Sequence, residues 1–398
     1  MSPSTRQRQF ALAALFLVPG IGMASWVTRT PDIRDLLGAS TLEMGLVLFG
    51  LSLGSMLGIL VSGLLVSRFG ARPIIAAGAI GVVISMPTIG VGTGLADAFV
   101  AAAGLFLFGA GMGGGEVALN VEGADVERAT GRSFLPRLHG CFSLGTLIGA
   151  VAGIFATASA FPVDVHLILV GVIALVGVIF SVPRIPSGTG RVPRTAAGTS
   201  RASHTRLWRD PTLLLVGVII LAMALAEGTA NDWLPLVMVD GHGFDAASGS
   251  AIYAVFAAAM TTGRFVGGWF IDRFGRAAVL CASGVFGVVG LAVIIFVDNP
   301  VLATAAVLLW GLGASLGFPV AISAAGDSGP NSAARVSLVA TLGYVAFLVG
   351  PPALGLVGDE FGLRSALIIP LVLVALAAIA AVGYGRRTRN AREVARVA

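Results

Sequence analysis

Lysine is absent from the sequence, and charged residues of all kinds make up only 11% of its 398 positions. A water-soluble fold of this length needs a more highly charged surface, since soluble domains carry about 25% charged residues. The missing lysine also excludes the phosphate-binding GxxxxGKS loop, which requires one. A soluble globular protein and a nucleotide-hydrolysing P-loop protein are therefore both excluded.

Cysteine and histidine are also scarce, with two and four residues respectively. Cys141 and Cys281 lie inside apolar runs, so we predict no disulfide framework. The sequence contains neither a spaced set of metal ligands nor the pattern of a nucleophile triad. We therefore expect no metal, no cofactor and no enzymatic activity.

Hydrophobic residues, by contrast, make up 56% of the chain, and the mean hydropathy is +0.94. Such a surface favours lipid, which a helix crosses with about 20 mostly apolar residues. The 55 glycines suit helices that pack closely inside a membrane. We therefore predict an all-α membrane protein with twelve transmembrane helices, at about 10–30, 42–67, 73–93, 98–124, 135–158, 165–182, 212–238, 247–271, 276–297, 301–325, 334–358 and 363–384.

The predicted helices fall into two sets of six, separated by residues 183–211. This segment is rich in Pro, Gly, Ser, Thr and Arg, as linkers are. Trp208, between two arginines, suggests that the end of the segment lies along the membrane surface. We predict an N-terminal six-helix bundle, a basic cytoplasmic linker, a C-terminal six-helix bundle and a cytoplasmic tail, at 1–182, 183–211, 212–385 and 386–398.

The arginines are distributed unevenly between the ends of the predicted helices. With a cytoplasmic N-terminus, 21 of the 25 arginines fall in cytoplasmic segments, and only Arg34 and Arg364 fall in outer loops. Cytoplasmic loops of membrane proteins are enriched in basic residues. We therefore predict a multi-pass protein of the bacterial inner membrane with both termini in the cytoplasm. The net charge of +5 then reflects topology, and we expect no nucleic-acid partner.

One short motif occurs twice in the chain. The first copy, GLLVSRFGAR, runs from Gly63 to Arg72, and the second, GWFIDRFGR, runs from Gly268 to Arg276. The two copies are 205 residues apart, about half the chain. An internal repeat at half length is how many membrane transporters are built. The two predicted bundles are therefore expected to be pseudo-symmetric.

Both copies resemble the signature of the major facilitator superfamily, G-x-x-x-D-R-x-G-R/K after the second and eighth helices. The second copy is complete, with Asp272 as its acid, whereas the first has Ser67 at that place. The resemblance implies the fold of that superfamily and alternating access between two six-helix bundles. It also implies that the charged residues of the motif hold a gate, and the candidates are Arg68, Arg72, Asp272, Arg273 and Arg276.

Four further segments resemble the fucose-permease-like branch of that superfamily, in particular its YbjJ-type permeases. They are WVTRTPDIR from Trp26, GEVALNVEGADVER from Gly115, LHGCFSLGTLIGA from Leu138 and EGTANDW from Glu227. Characterised members near this branch are largely proton-coupled importers of sugars. The narrower resemblance therefore implies such an activity here.

Ionisable side chains inside lipid are costly, so those within predicted helices are candidates for function. Glu116 lies in the fourth helix, with Asn120 four residues later on the same face. Because desolvation disfavours a charged carboxylate, Glu116 can be protonated near neutral pH. We predict proton coupling for Glu116 and solute contact for Asn120. A structural carboxylate bonded to neighbouring helices is the alternative.

Glu227, Asn231 and Asp232 form a polar set in the seventh helix, beside Trp233. Polar groups next to an aromatic ring suit a hydroxyl-rich solute. We predict proton coupling or solute contact for Glu227, and solute contact for Asn231 and Asp232. Polar contact between helices is the alternative.

Two residues towards the outer side of the first helix, Trp26 and Arg29, are also predicted to contact the solute. Asp32 or the acids of the seventh helix are the expected partners of Arg29. Arg264, in the eighth helix, must find an acid or line water. We predict a gating or structural role for it.

The cytoplasmic end of the fourth helix carries Glu122 and Asp125. This pattern suits a gate network with the 63–72 loop or with the linker. A solvated helix end would show the same pattern.

These features predict a secondary active transporter that moves a small polar, sugar-like solute by proton symport. Its expected partners are the solute, the coupling proton and membrane lipid, and its expected assembly is a monomer. The alternative is a proton-coupled exporter of drugs or amphipathic metabolites. Such exporters usually carry an arginine in the fourth helix and a Gly-Pro motif in the fifth, and the sequence has neither. A non-transporting receptor is a third interpretation, for which the short loops offer little surface.

Overall fold

The computed structural model describes residues 4–131, 134–191, 207, 209–329 and 332–397. Over these residues the regular structure is entirely helical, and twelve helices are long and apolar enough to cross a membrane. They are α1 (Thr5–Val27), α2 (Thr41–Phe69), α3 (Ala71–Gly94), α4 (Ala98–Thr130), α5 (Leu135–Ala158), α6 (Val163–Ser181), α7 (Pro211–His242), α8 (Ala246–Phe274), α9 (Arg276–Phe296), α10 (Pro300–Asp327), α11 (Ser332–Phe361) and α12 (Ile368–Val397). The predicted all-α fold with twelve transmembrane helices is confirmed.

Three short elements complete the described structure. A helix at Thr30–Leu37 follows α1, a 3₁₀ turn at Val182–Arg184 follows α6, and a helix at Leu363–Ala366 precedes α12. Two long helices extend well past their predicted ends. Helix α4 continues to Thr130 and α12 continues to Val397.

Local signals in the sequence explain where the helices begin. Ser4 and Ser40 each form a capping box with the residue three positions later, so that side chains satisfy free amide groups of the first turn. Asp210 and Asn299 cap α7 and α10, and each is followed by a proline at the first helical position. Gly131 ends α4 in the left-handed conformation that glycine adopts without strain.

The chain forms two compact units by its internal contacts. Unit 1 comprises Met1–Gly198 and Phe244–Ala254, and unit 2 comprises Thr199–Gly243 and Val255–Ala398. In unit 1, α4 packs on α2 and α3, and α1 packs on α5 and α6. In unit 2, α9 packs on α10 and α12, and α7 packs on α10, α11 and α12.

Glycines set the helix spacing in unit 1. A Cβ atom added at Gly54 of α2 would collide with the carbonyl of Phe106 on α4, and one at Gly109 would collide with the carbonyl of Leu51. Backbones that approach this closely leave no room for a methyl group, which is how small residues promote helix packing in lipid. Gly63, also on α2, has no neighbour within 4 Å of the same position. The requirement for glycine is therefore specific to the contact face.

The beginning of the predicted linker packs against unit 1. Ala71 N–H donates a hydrogen bond of 2.8 Å to the carbonyl of Thr189, and Ile185 is buried in the hydrophobic core of the unit. Residues 192–206 and 208 of the predicted linker, which include Arg194, Arg201, Arg206 and Trp208, lie outside the described residues.

A charged contact fixes the start of α7 in unit 2. Arg335 of α11 lies 2.6 Å from Asp210, the residue that caps α7. Partial burial of Asp210 opposes ionisation, but hydrogen bonds from Arg335 and from the amides of Thr212 and Leu213 outweigh it. The pKa of Asp210 therefore lies below its ordinary value.

Candidate functional site

Helix α7 carries an ion pair that the sequence did not predict. Its Glu227 accepts a hydrogen bond of 2.9 Å from Nη2 of Arg264 on α8. The carboxylate is 12% exposed and the guanidinium side chain 35%. Arg264 therefore pairs with an acid, as expected for an arginine within a membrane-spanning helix. The two charges compensate each other between the apolar helices of unit 2.

One turn further along α7, Asn231 is half-buried and Asp232 is buried, with 5% of the residue exposed. Asn231 has an interaction partner in the structure. No group in the described part of the chain hydrogen-bonds or pairs with the Asp232 carboxylate. The two acids of α7 therefore differ, since Glu227 is paired and Asp232 is not.

Pro235 lies within α7, close to these polar residues. Because proline has no amide hydrogen, it cannot donate the helical hydrogen bond to the carbonyl of Asn231, four residues before it. Such positions are where helices bend. The polar set of α7 therefore lies at a weak point of the helix.

Helix α4 of unit 1 places Glu116 and Asn120 one turn apart, and both are half-buried. Glu116 has an interaction partner within the protein. The side-chain oxygen of Asn120 is buried and accepts no hydrogen bond from any residue that the structure describes. Buried polar atoms are nearly always paired, so an unpaired acceptor indicates an unfilled place for a donor, such as water or a hydroxyl group of a ligand.

The end of α4 is tied to α1 through a residue that the sequence analysis did not select. Arg8 lies 2.5 Å from the fully buried carboxylate of Glu122 and 2.6 Å from that of Asp125. Arg128 also reaches Asp125, at 3.2 Å. The partner that the two acids share is therefore Arg8, and the described structure shows no ion pair from Arg68 or Arg72 of the first motif to either acid.

Arg8 had a visible signal in the sequence, a positive charge at the start of an apolar run. A charge at that place indicates membrane topology, and the separation of 114 residues from Glu122 gives no hint of contact.

The two copies of the repeated motif make different contacts. In unit 1, Arg68 lies over the ring of Phe69, 5.1 Å from its centroid, and Ser67 bonds to the carbonyl of Leu64. In unit 2, Arg276 pairs with Asp327 at the end of α10, at 2.6 Å. Three motif residues are half-buried or exposed, and the described structure shows no ion pair to them: Arg72, Asp272 and Arg273.

Arg29 lies between α1 and the short helix Thr30–Leu37 and is 3% exposed. Its Nε lies 2.7 Å from the Asp32 carboxylate, and its Nη2 donates to the carbonyl of Phe161 at 2.7 Å. Asp32 was one of the partners expected for it. Trp26 is fully buried, and its ring N–H has no hydrogen-bond partner among the residues that the structure describes.

An open cleft of about 830 Å³ adjoins Arg29. Carboxylates of Asp32, Asp35 and Asp245 line it together with Thr157. The start of α8 closes one side of this region, where the hydroxyl of the buried Ser250 donates to the carbonyl of Thr28. Neither Thr28 nor Ser250 was selected from the sequence, because single hydroxyl residues in apolar helices carry no distinct pattern.

Among the described residues, no group of three or more His, Cys, Asp or Glu side chains is placed to hold a metal ion. The polar groups described above are instead single carboxylates, amides and Arg–acid pairs on membrane-spanning helices. Chemically they can bind protons and hydrogen-bond to polar solutes.

Comparison with known proteins shows which family the chain belongs to. The family model of the Major Facilitator Superfamily matches residues 10–344. An uncharacterised MFS-type transporter of Yersinia pestis is 28% identical over 377 residues, which cover 94% of this chain and 95% of that protein.

Two solved structures are similar in fold. The D-xylose-proton symporter aligns with a TM-score of 0.77 and 13% identity, over 94% of this chain and 96% of that one. A single-residue variant of the fucose:proton symporter FucP of E. coli aligns with a TM-score of 0.65 and 18% identity, over 94% and 98%. The predicted resemblance to the superfamily is thereby confirmed. This chain belongs to the Major Facilitator Superfamily and is a multi-pass membrane transporter.

Proposed function

We propose that this transporter moves a small polar, sugar-like solute across the bacterial inner membrane by proton symport with alternating access. It acts as a monomer with both termini in the cytoplasm. The similar folds of a D-xylose-proton symporter and of a fucose:proton symporter support the solute class and the coupling ion. The concentration of arginines at one side of the helices supports the orientation.

The unpaired oxygen of Asn120 carries the proposal. It is a buried acceptor with no donor, one helical turn from the half-buried Glu116. A sugar hydroxyl supplies the missing donor, and the acid next to it takes up the coupling proton. Because both residues lie on one face of α4, binding of the proton and binding of the solute affect each other through local electrostatics.

The remaining predicted residues have supporting roles in this proposal. Asn231 contributes a second amide to the solute, and Glu227 with Arg264 keeps a compensated charge pair beside it. The Arg8–Glu122–Asp125 and Arg276–Asp327 contacts hold the helix ends of their own units and act as gate latches. Trp26 and Arg29 shape the opposite end of α1.

Uptake into proteoliposomes tests the proposal. Vesicles containing purified protein are given radiolabelled D-xylose or L-fucose with an acidic outer buffer, while an external dye reports pH. We expect solute accumulation together with alkalinisation of the medium. Glu116→Gln is expected to lower proton-driven uptake at least tenfold and to keep exchange of solute without a gradient, because the amide binds no proton.

The matched control is Glu360→Gln, the same substitution at an exposed residue near the end of α11. It is expected to transport as the unmodified protein does. Proton-driven uptake by Glu116→Gln equal to that of the control would show that Glu116 does not couple the proton.

A further inference from the structure

Asp232 occupies an unusual place in unit 2. It lies ten residues before the end of α7, which corresponds to about 15 Å along the helix axis. On the same face, a Cβ atom added at Gly228 would lie 2.8 Å from the ring of Phe347 on α11, and Leu236 is fully buried. Asp232 therefore lies between two apolar positions on its face of α7 and away from the helix ends.

The charged groups that could compensate Asp232 either form ion pairs with other residues or are exposed at other places. The elements that pack against α7 are α10, α11, α12 and the short helix Leu363–Ala366. Their ion-paired side chains are Asp327 with Arg276, Arg335 with Asp210, and Arg364 with Asp298. Their other titratable residues whose side chains the structure describes are Tyr344, which lies against Phe318, the buried Tyr384 of α12, and the exposed Asp359, Glu360, Arg386, Arg387 and Arg389.

The charged groups of α7 itself and of α8 do not compensate Asp232 either. Arg264 is held by Glu227, and His242 at the end of α7 bonds to the carbonyl of Ile294. Asp240 is exposed, eight residues beyond Asp232. Within the described structure, then, no cation reaches the Asp232 carboxylate.

An isolated carboxylate that is buried among apolar side chains is too costly to keep charged, and such groups become neutral instead. Glu227 avoids this cost through its ion pair, whereas Asp232 has no such partner. In a membrane helix a group of this kind is a candidate for proton transfer.

We propose that Asp232 is a proton-binding site of this transporter, distinct from Glu116 and from the Glu227–Arg264 ion pair. One O–H bond forms when the carboxylate takes a proton from water on one side, and the same bond breaks when the proton leaves to the other side. The missing hydrogen bond before Pro235 lets α7 bend next to Asp232, which admits the water that exchange needs. This inference rests on the proposed proton coupling for its role in transport.

Infrared spectroscopy of the purified protein in an alkyl glycoside detergent, which has no carbonyl group that would mask the signal, tests the site without any solute. A protonated carboxyl group has a carbonyl-stretching band that a carboxylate lacks. Ordinary Asp and Glu side chains, with pKa values of about 4, are ionised at neutral pH and give no such band. Because Glu116 is also proposed to take up a proton, all spectra are recorded in a Glu116→Gln background. In that background we expect the band at neutral pH, and we expect the added Asp232→Asn substitution to abolish it.

Two variants make the assignment specific. Asp240→Asn, the same substitution at an exposed acid of the same helix, and Glu227→Gln are both expected to keep the band. A band that persists in Asp232→Asn, or that disappears in Glu227→Gln, overturns the proposal.

If Asp232→Asn does not fold, Asp232→Glu replaces it. The band is then expected to move to the position typical of glutamic acid, and an unmoved band overturns the proposal. Failure of the proposed function has a different signature, because vesicles would then move neither solute nor protons while the band of Asp232 is still present.

Discussion

Neutralising Glu227 leaves the Arg264 guanidinium without its carboxylate between two membrane-spanning helices. Two unit charges 2.9 Å apart interact by about 6 kcal/mol at an effective dielectric constant of about 20. Because 35% of the arginine side chain is exposed, solvent screens much of this energy. Breaking a buried pair costs about 3–5 kcal/mol, whereas an exposed pair contributes less than about 1 kcal/mol. We therefore expect Glu227→Gln to lower the free energy of unfolding by about 1–3 kcal/mol.

The matched variants are Arg264→Gln and the double variant Glu227→Gln with Arg264→Gln. The double variant buries no uncompensated charge, so it is expected to be more stable than the sum of the two single losses predicts. The coupling energy is expected to be about 1–3 kcal/mol.

Unfolding by SDS in mixed micelles, followed by tryptophan fluorescence, measures these free energies. Losses in the single variants that simply add in the double variant would mean that the 2.9 Å contact contributes nothing to stability. The reasoning about charge compensation on α7 would then be refuted.

Two further predictions concern packing and pH. Gly54→Ala is expected to cost about 1–3 kcal/mol, because the added methyl group meets the α4 backbone, whereas Gly63→Ala on the same helix is expected to be neutral or stabilising by up to about 1 kcal/mol. Equal melting temperatures for the two variants would contradict the close contact of α2 with α4. The lowered pKa of Asp210 in the folded state means that its pairing with Arg335 stabilises the protein above about pH 4 and that this stabilisation is lost as the pH falls further. A melting curve measured from about pH 3 to about pH 7 is expected to be flatter for Asp210→Asn, and an unchanged pH dependence would exclude the contribution.

The fold was predictable because its dominant determinant is local. Each helix is a run of apolar residues long enough to cross a bilayer, and hydropathy detects such runs without any knowledge of contacts. Hydropathy predicts the wrong end for α4. The predicted helix stops where Glu122 and Asp125 introduce charge, but the real helix continues to Thr130, because Arg8 compensates that charge from another helix.

The site was predictable only in part, for a related reason. Arg29 and Asp32 are three residues apart, and the sequence alone suggested that they pair. Glu227 and Arg264 are 37 residues apart on different helices, so the sequence presents them as two separate candidates. The sequence does show that an intramembrane charge needs a partner. It does not show which partner, since that depends on how the helices pack.

The different contacts at the ends of α4 and α10 also matter for how the protein can be altered. Unit 2 keeps an acid–base pair close to its own motif, through Arg276 and Asp327. Unit 1 has Ser67 at the acid position of its motif, and the acids at the end of α4 pair with Arg8, near the start of α1. Deleting the first turns of α1 therefore removes the counter-ion of Glu122, and fusing a rigid partner there displaces it. Either change destabilises unit 1 and leaves the Arg276–Asp327 pair of unit 2 intact. The two repeated halves therefore differ in how well they tolerate changes at the start of the chain.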